Sequence, residues 1–215
     1  MDGASSFMGK PQCALARVAS GPRSHSRTTS CQDGLADSPM ASSTRNTRVS
    51  ATAGSALRAA RSDFAIGTTL ALTPSRAAHD GVAPLNDAAA KGFDAVWNGA
   101  FLDPLLKGVY PAQARGFIEP SLRANDMAVI HQPVDFVGAN YYAPAYLRFD
   151  LMSQAHIAPA DPPPRTERDA FNREVDPAGM WQILKRLREE YGNPRVLITE
   201  NGCSDPFSDD PAQQD

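Results

Sequence analysis

Residues 176–202 read DPAGMWQILKRLREEYGNPRVLITENG, which is a helix, a turn and a short strand in direct succession. Asp176 followed by Pro177 is a favourable helix start, because a short polar side chain suits the cap and proline suits the first turn. Met180, Ile183, Leu184, Leu187 and Tyr191 then recur at helical spacing and form one apolar stripe. Lys185, Arg186, Arg188, Glu189 and Glu190 fill the remaining surface. Gly192 stops the helix and Asn193-Pro194 makes the turn. Arg195-Val196-Leu197-Ile198-Thr199 reads as a short buried-type strand that ends in Glu200-Asn201-Gly202. The unit delivers a carboxylate to the C-terminal tip of a strand, the face where active sites sit in a parallel β/α barrel. Taken alone, a strand-end Glu is more simply a solvated cap.

The same texture extends upstream. Residues 134–142, VDFVGANYY, read as a strand, with Tyr141 and Tyr142 pointing to opposite faces. Residues 64–72, FAIGTTLAL, read as another, stopped by Thr73-Pro74, and residues 55–61 read as the last turns of a preceding helix. Asn86 or Asp87 is the expected cap of a helix carrying Phe93, Val96 and Trp97. Pro104, Pro111 and Pro120 break up the stretch after that helix, and residues 143–176 read as a long proline-rich connection. Strands alternating with helices predict the α/β class.

The chain has 215 residues, enough for one ordinary domain with an appendage. Residues 1–54 are dominated by Ser, Thr, Ala, Arg and Gly, with Phe7 the single aromatic. Such a segment lacks the large apolar side chains that offset the entropy of ordering, so it is expected to be a low-complexity, disordered tail before a domain at 55–215. It is Arg- and Ser-rich like an organellar transit peptide but shows no convincing amphipathic helix, and a mistranslated frame is the other explanation. A net charge of −3 gives no case for nucleic acid or an anionic membrane as partner. No run approaches the ~18 apolar residues of a spanning helix. Cys13, Cys31 and Cys203 form no disulfide framework and, with scattered His25, His79, His131 and His156, no metal spacing. Neither metal nor cofactor is expected, and a cytoplasmic setting is preferred.

Residues 198–202, ITENG, resemble the nucleophile motif of glycoside hydrolase family 1, the β-glucosidase family. Residues 134–142 are similar to that family's DFxGxNYY phrase, and residues 98–111, NGAFLDPLLKGVYP, to its NGxFLDPLxxGxYP segment. Residues 56–74 resemble the family's fourth helix and fifth strand, with Ala71 where Asn is common. The resemblance implies a partial (β/α)₈ TIM barrel, the region of strands five to seven, over about residues 55–205. It implies Glu200 as nucleophile, Tyr142 as its hydrogen-bond donor and Asn140 on the substrate side of the catalytic centre.

A retaining glycosidase needs a second carboxyl group about 5–5.5 Å from the nucleophile. By the family pattern this acid/base Glu lies in an Asn-Glu-Pro phrase upstream of Ser55, but no Glu precedes Glu119 and no Asn-Glu-Pro occurs. Glu119, Glu167, Glu174, Glu189 and Glu190 read as surface charges, and Asp103 as structural. The resemblance therefore implies retaining hydrolysis of β-glucosides, with this chain truncated and lacking its acid/base residue. The alternatives are an inactive remnant of a truncated or frame-damaged gene, or a non-catalytic sugar-binding or interaction fragment.

Overall fold

The computed structural model describes residues 13–18, 29–30, 39–153 and 155–204. In chain order the strands are β1 (Cys13–Val18), β2 (Thr29–Ser30), β3 (Ala65–Ala71), β4 (Ser75–Ala77), β5 (Phe136–Tyr141), β6 (Ala145–Phe149), β7 (Ile157–Ala160) and β8 (Val196–Asn201). The helices are α1 (Pro39–Ala60), α2 (Ala83–Asp94), α3 (Ala100–Leu106), α4 (Arg115–Ile118), α5 (Asp126–Ile130) and α6 (Pro177–Glu190).

The main sheet has the order β2-β1-β3-β5-β8. β3 pairs parallel with β5, and β5 parallel with β8, each after a helical crossover. These three strands and their helices are part of a TIM barrel. β1 runs antiparallel to β3 over six residue pairs, where a closed barrel would continue with a parallel strand. β3 and β5 are buried along nearly their whole length, polar Thr68 and Thr69 included, because both of their faces are covered, as in parallel sheets. The stripe of α6 packs against them: Ile183, Leu187 and Tyr191 join Leu70, Leu72, Phe101, Leu102, Val137, Ala139 and Tyr141 in one core. Leu187 is 1% exposed, so truncating it to Ala costs about 2–5 kcal/mol. Gly179 lets the first turn of α6 approach β5, since a Cβ there would overlap the Tyr141 hydroxyl.

Several expectations change. The boundary expected at residue 54 falls inside α1, and residues 13–18, 29–30 and 39–54 lie in strand or helix. The remainder of the expected disordered tail lies outside the described residues. α1 carries few large apolar residues, Met40, Val49 and Leu57, and its small ones let it sit close. Gly54 leaves a Cβ position only 3.4 Å from Ile66, and Arg48 pairs with the buried Asp126 at 2.8 Å. The cap of α2 is Val82, with Pro84 in the first turn and no side-chain capping bond. Asn86 is instead buried at 3% exposure, donating to the Asp80 carbonyl and accepting from the Phe149 N–H at 2.9 Å.

Residues 143–176 are not merely a connection. β6 and β7 lie within them and build a second sheet with β4, in the order β4-β6-β7, packed on α2 through Leu147, Ala89 and Ala90. Pro159 sits in β7, an edge strand, where a missing N–H is tolerated. Among the described residues no helix is long and apolar enough to cross a membrane.

Candidate active site

The C-terminal ends of β3, β5 and β8 lie side by side, and each exit is fixed by a side chain. Beyond β3, Asn98 in the π-helical turn Ala95–Gly99 binds both backbone groups of Thr73, at 2.8 and 3.1 Å. Trp97 donates to the Ala71 carbonyl at 3.0 Å. At the end of β8, Asn201 donates to the Tyr141 carbonyl at 2.8 Å.

The β5–β8 register shifts between Ala139 and Asn140, so that Ala139 faces Ile198 while Asn140 faces Glu200. Thr199 is the extra residue of this bulge, and its hydroxyl donates to Asn140 Oδ1. A bulge re-aims the side chains beyond it. Here the next residue is Glu200, whose Oε2 accepts a hydrogen bond of 2.8 Å from the Tyr142 hydroxyl. Tyr141 and Tyr142 do point opposite ways. Tyr141 is 2% exposed and donates to the Asp176 carbonyl at 2.9 Å, whereas Tyr142 is 42% exposed on the Glu200 side.

The phenol of Tyr142 is held above its ordinary pKa, first by its hydrogen bond to Glu200, then by burial and the negative charge of Glu200. Arg173 acts in the opposite direction, with its guanidinium carbon 5.4 Å from the Tyr142 ring centroid. The phenol therefore stays protonated and donates to the carboxylate. A donated hydrogen bond stabilises the charged form of the acceptor and fixes its orientation. Chemically, the arrangement presents an oriented carboxylate able to act as a nucleophile.

Several of the remaining carboxylates have other partners. Arg76 gathers Glu174 at 2.9 Å and Asp176, and Tyr146 donates to Glu174 at 2.7 Å. Asp176 does occupy the cap position of α6, but its carboxylate serves this cluster and makes no capping bond. Asp103 accepts from Tyr191 at 2.8 Å and pairs with Lys107. Glu189 and Glu190 pair with arginines of α6, and Glu119 opens the short 3₁₀ turn Glu119–Ser121. Among the described residues no group of three or more His, Cys, Asp or Glu side chains could hold a metal ion. Cys203 is free and exposed, and Cys31 and His25 lie outside the described residues.

The strand carrying Glu200 is less covered than a buried-type strand implies, because β8 is the last strand of its sheet: Ile198 is 56% exposed. A cavity of about 530 Å³ opens elsewhere, beneath α1 and lined by Ile66, Leu70, Phe101 and Ile130, and it contains none of the residues around Glu200. The sequence reading also missed Thr199, Asn201 and the Asp169–Arg173 pair beside Tyr142. Thr199 and Asn201 lie within the quoted strand phrase, whereas no local pattern marks Arg173.

Residues 37–214 match the model of glycosyl hydrolase family 1. Beta-glucosidase A of Enterobacter agglomerans is 38% identical over 120 residues, which is 53% of this chain and 25% of that protein. The 6-phospho-beta-glucosidase GmuD of Bacillus subtilis (strain 168) is 34% identical over 71% of this chain and 36% of its own length. The crystal structure of the psychrophilic beta-glucosidase BglU from Micrococcus antarcticus superposes with a TM-score of 0.70 at 27% identity, covering 81% of this chain and 42% of that one. The chain thus spans between a quarter and about two fifths of the proteins it matches.

Proposed function

The chain belongs to glycosyl hydrolase family 1, and from that premise we propose that Glu200 is the nucleophile of a retaining, β-glucosidase-type site. Tyr142 is the donor that orients it, and Asn140 stands on the substrate side. The observation that carries this reading is the 2.8 Å hydrogen bond from Tyr142 to Glu200 at the end of adjacent parallel strands. In the reaction Glu200 attacks the anomeric carbon of a β-glucoside and forms a glycosyl ester as the leaving oxygen departs. Tyr142 holds the carboxylate in its orientation until that attack consumes its charge.

The second carboxyl group, which protonates the leaving oxygen and then deprotonates water, has no counterpart in this sequence: no Glu precedes Glu119 and no Asn-Glu-Pro occurs. The chain therefore supplies the nucleophile side of the site, in a cytoplasmic setting. A second reading, a remnant without sugar chemistry, draws support from the open flank of β8, where Ile198 is 56% exposed and the carboxylate faces solvent.

A 2-deoxy-2-fluoro-β-glucoside with a dinitrophenolate leaving group separates the two, because such a group departs without protonation. A slow, substoichiometric adduct is expected by intact mass, mapping to Glu200 and absent in Glu200→Gln. No adduct at all would favour the remnant.

A further inference from the structure

The turn at residues 169–173 contacts the ring of Tyr142 on one side and the backbone of Ser204, four residues past Glu200, on the other, and it is built around one buried carboxylate. Asp169 is 8% exposed, and its Oδ1 accepts from the N–H groups of Phe171 at 3.0 Å and Arg173 at 2.9 Å. Its Oδ2 accepts from Nε and Nη2 of Arg173, the first at 2.8 Å. Backbone bonds close the turn, from Asp169 N–H to the Arg173 carbonyl and from Asn172 N–H to the Asp169 carbonyl, both at 2.9 Å. Asn172 takes φ +60°, a left-handed conformation that Asn tolerates better than most residues. With every oxygen of Asp169 engaged, the turn is locally rigid and Arg173 has little freedom.

From this base the turn reaches in two directions. The Arg173 guanidinium lies 5.4 Å from the Tyr142 ring centroid and 5.2 Å from that of Phe171, within the range of a cation–π contact. Ala170 N–H donates to the Ser204 carbonyl at 3.1 Å, shortly after Glu200. One side of the turn therefore holds the phenol, and the other holds the chain that carries the carboxylate.

We propose that the Asp169-centred turn is a positioning device for the nucleophile: Arg173 fixes the Tyr142 ring while the Ala170–Ser204 bond fixes the segment following Glu200, so that phenol and carboxylate meet. Asp169 and Arg173 are positioning residues, acting through Tyr142. The proposal rests on Glu200 as nucleophile for its purpose, but its geometry can be measured without any sugar.

The test is a pH titration of the full chain labelled with ¹³Cζ-tyrosine, with the Tyr142 resonance assigned by its loss in Tyr142→Phe. Arg173→Met and Arg173→Lys are compared with the parent, each with and without Glu200→Gln. If the turn positions the ring, Arg173→Met lowers the Tyr142 midpoint toward the ordinary tyrosine value, since the bond to Glu200 loosens. Glu200→Gln then moves that midpoint much less than it does in the parent. A merely electrostatic neighbour gives the reverse: loss of the cation raises the midpoint, and the Glu200→Gln shift stays full-sized. Either result, or no change, overturns the proposal. Arg173→Lys keeps the charge but cannot fork Asp169, so it must behave like Arg173→Met; parent-like behaviour would also overturn the proposal. The other tyrosine resonances report folding, and if Arg173→Met loses them, Arg173→Lys carries the test alone. An intact titration coupling without a fluoro-glycoside adduct would sink the glycosidase reading alone. A full-rate adduct in Arg173→Met would sink the positioning reading alone.

Discussion

β5 and β8 are parallel neighbours with similar apolar content, yet they live in different surroundings. Phe136, Val137 and Ala139 of β5 are 1%, 0% and 0% exposed, whereas Ile198 of β8 is 56% exposed. β5 is flanked by β3 and β8 and covered by α6, while β8 closes the described sheet with only β5 beside it. Hydrophobic character made both strands, but only the covered one gains the full burial energy, roughly 25 cal/mol per Å² of apolar surface. The proposed site residues divide along the same line. Asn140 and Tyr142 sit on or just beyond the anchored strand, and Glu200 sits on the exposed one, joined to it by side-chain bonds across a bulge.

The contrast breaks most visibly under truncation. Phe136→Ala should destabilise the chain by about 3–5 kcal/mol in urea unfolding, because it opens a cavity in a closed core. The corresponding cut at Ile198→Ala should change stability by about 0.5 kcal/mol or less. Equal losses would mean that β8 is covered in solution.

The clasp between the two sheets comes next. Arg76→Met leaves Glu174 and Asp176 with only tyrosine hydroxyls among their side-chain donors. Since both carboxylates are largely buried, the expected loss is about 1–3 kcal/mol by the same measurement. A neutral result would show that the small sheet is held by Asn86 and apolar packing instead.

Acid should loosen the frame further. Asp135 is held below its ordinary pKa by the Ile66 N–H and then by Arg58. For Asp169, burial pushes upward, but the Arg173 guanidinium and the N–H groups of Arg173 and Phe171 outweigh it, and the net shift is downward. Folded values below the unfolded 3.8 mean that the unfolded chain binds protons first. The stability these groups confer is complete above that value and is lost as pH falls through the depressed folded values. Asp135→Asn and Asp169→Asn should each flatten the low-pH limb of a stability–pH curve, and an unchanged limb would contradict these assignments.

Smallest in free energy is the edge itself. An exposed, apolar, unpaired strand edge favours self-association, and a charge placed on it opposes that tendency. Ile198→Lys should lower light scattering at high concentration while leaving the unfolding midpoint nearly unchanged. Scattering that does not respond would place the sticky surface elsewhere.

Periodicity and punctuation were enough to locate β3, β5, α6 and β8, since each is a run with one dominant pattern and clear stops. The pairing of Tyr142 with Glu200 was legible through the family resemblance, since alternation along β5 says only that Tyr141 and Tyr142 point to opposite faces. Long-range partners were not legible. Asn86 resembles a cap locally but is drawn into the helix by the carbonyls of Ala78 and Asp80, just past β4, and by the Phe149 N–H of β6. The proline-rich stretch conceals β6 and β7, which exist through pairing with β4 and with each other. The exposure of β8 was also out of reach, since a strand's sequence does not say whether a neighbour will cover it.

We propose above all that this chain orients Glu200 as a nucleophile without supplying its acid/base partner. The most direct measurement is hydrolysis of an aryl β-glucoside by the purified full chain beside Glu200→Gln. Positioning can contribute about 7–11 kcal/mol to such a reaction, and with part of the site present most of that is lost. No turnover above that of Glu200→Gln is expected. Sustained turnover that disappears in Glu200→Gln would contradict the account and show that another carboxylate of this chain serves as acid and base.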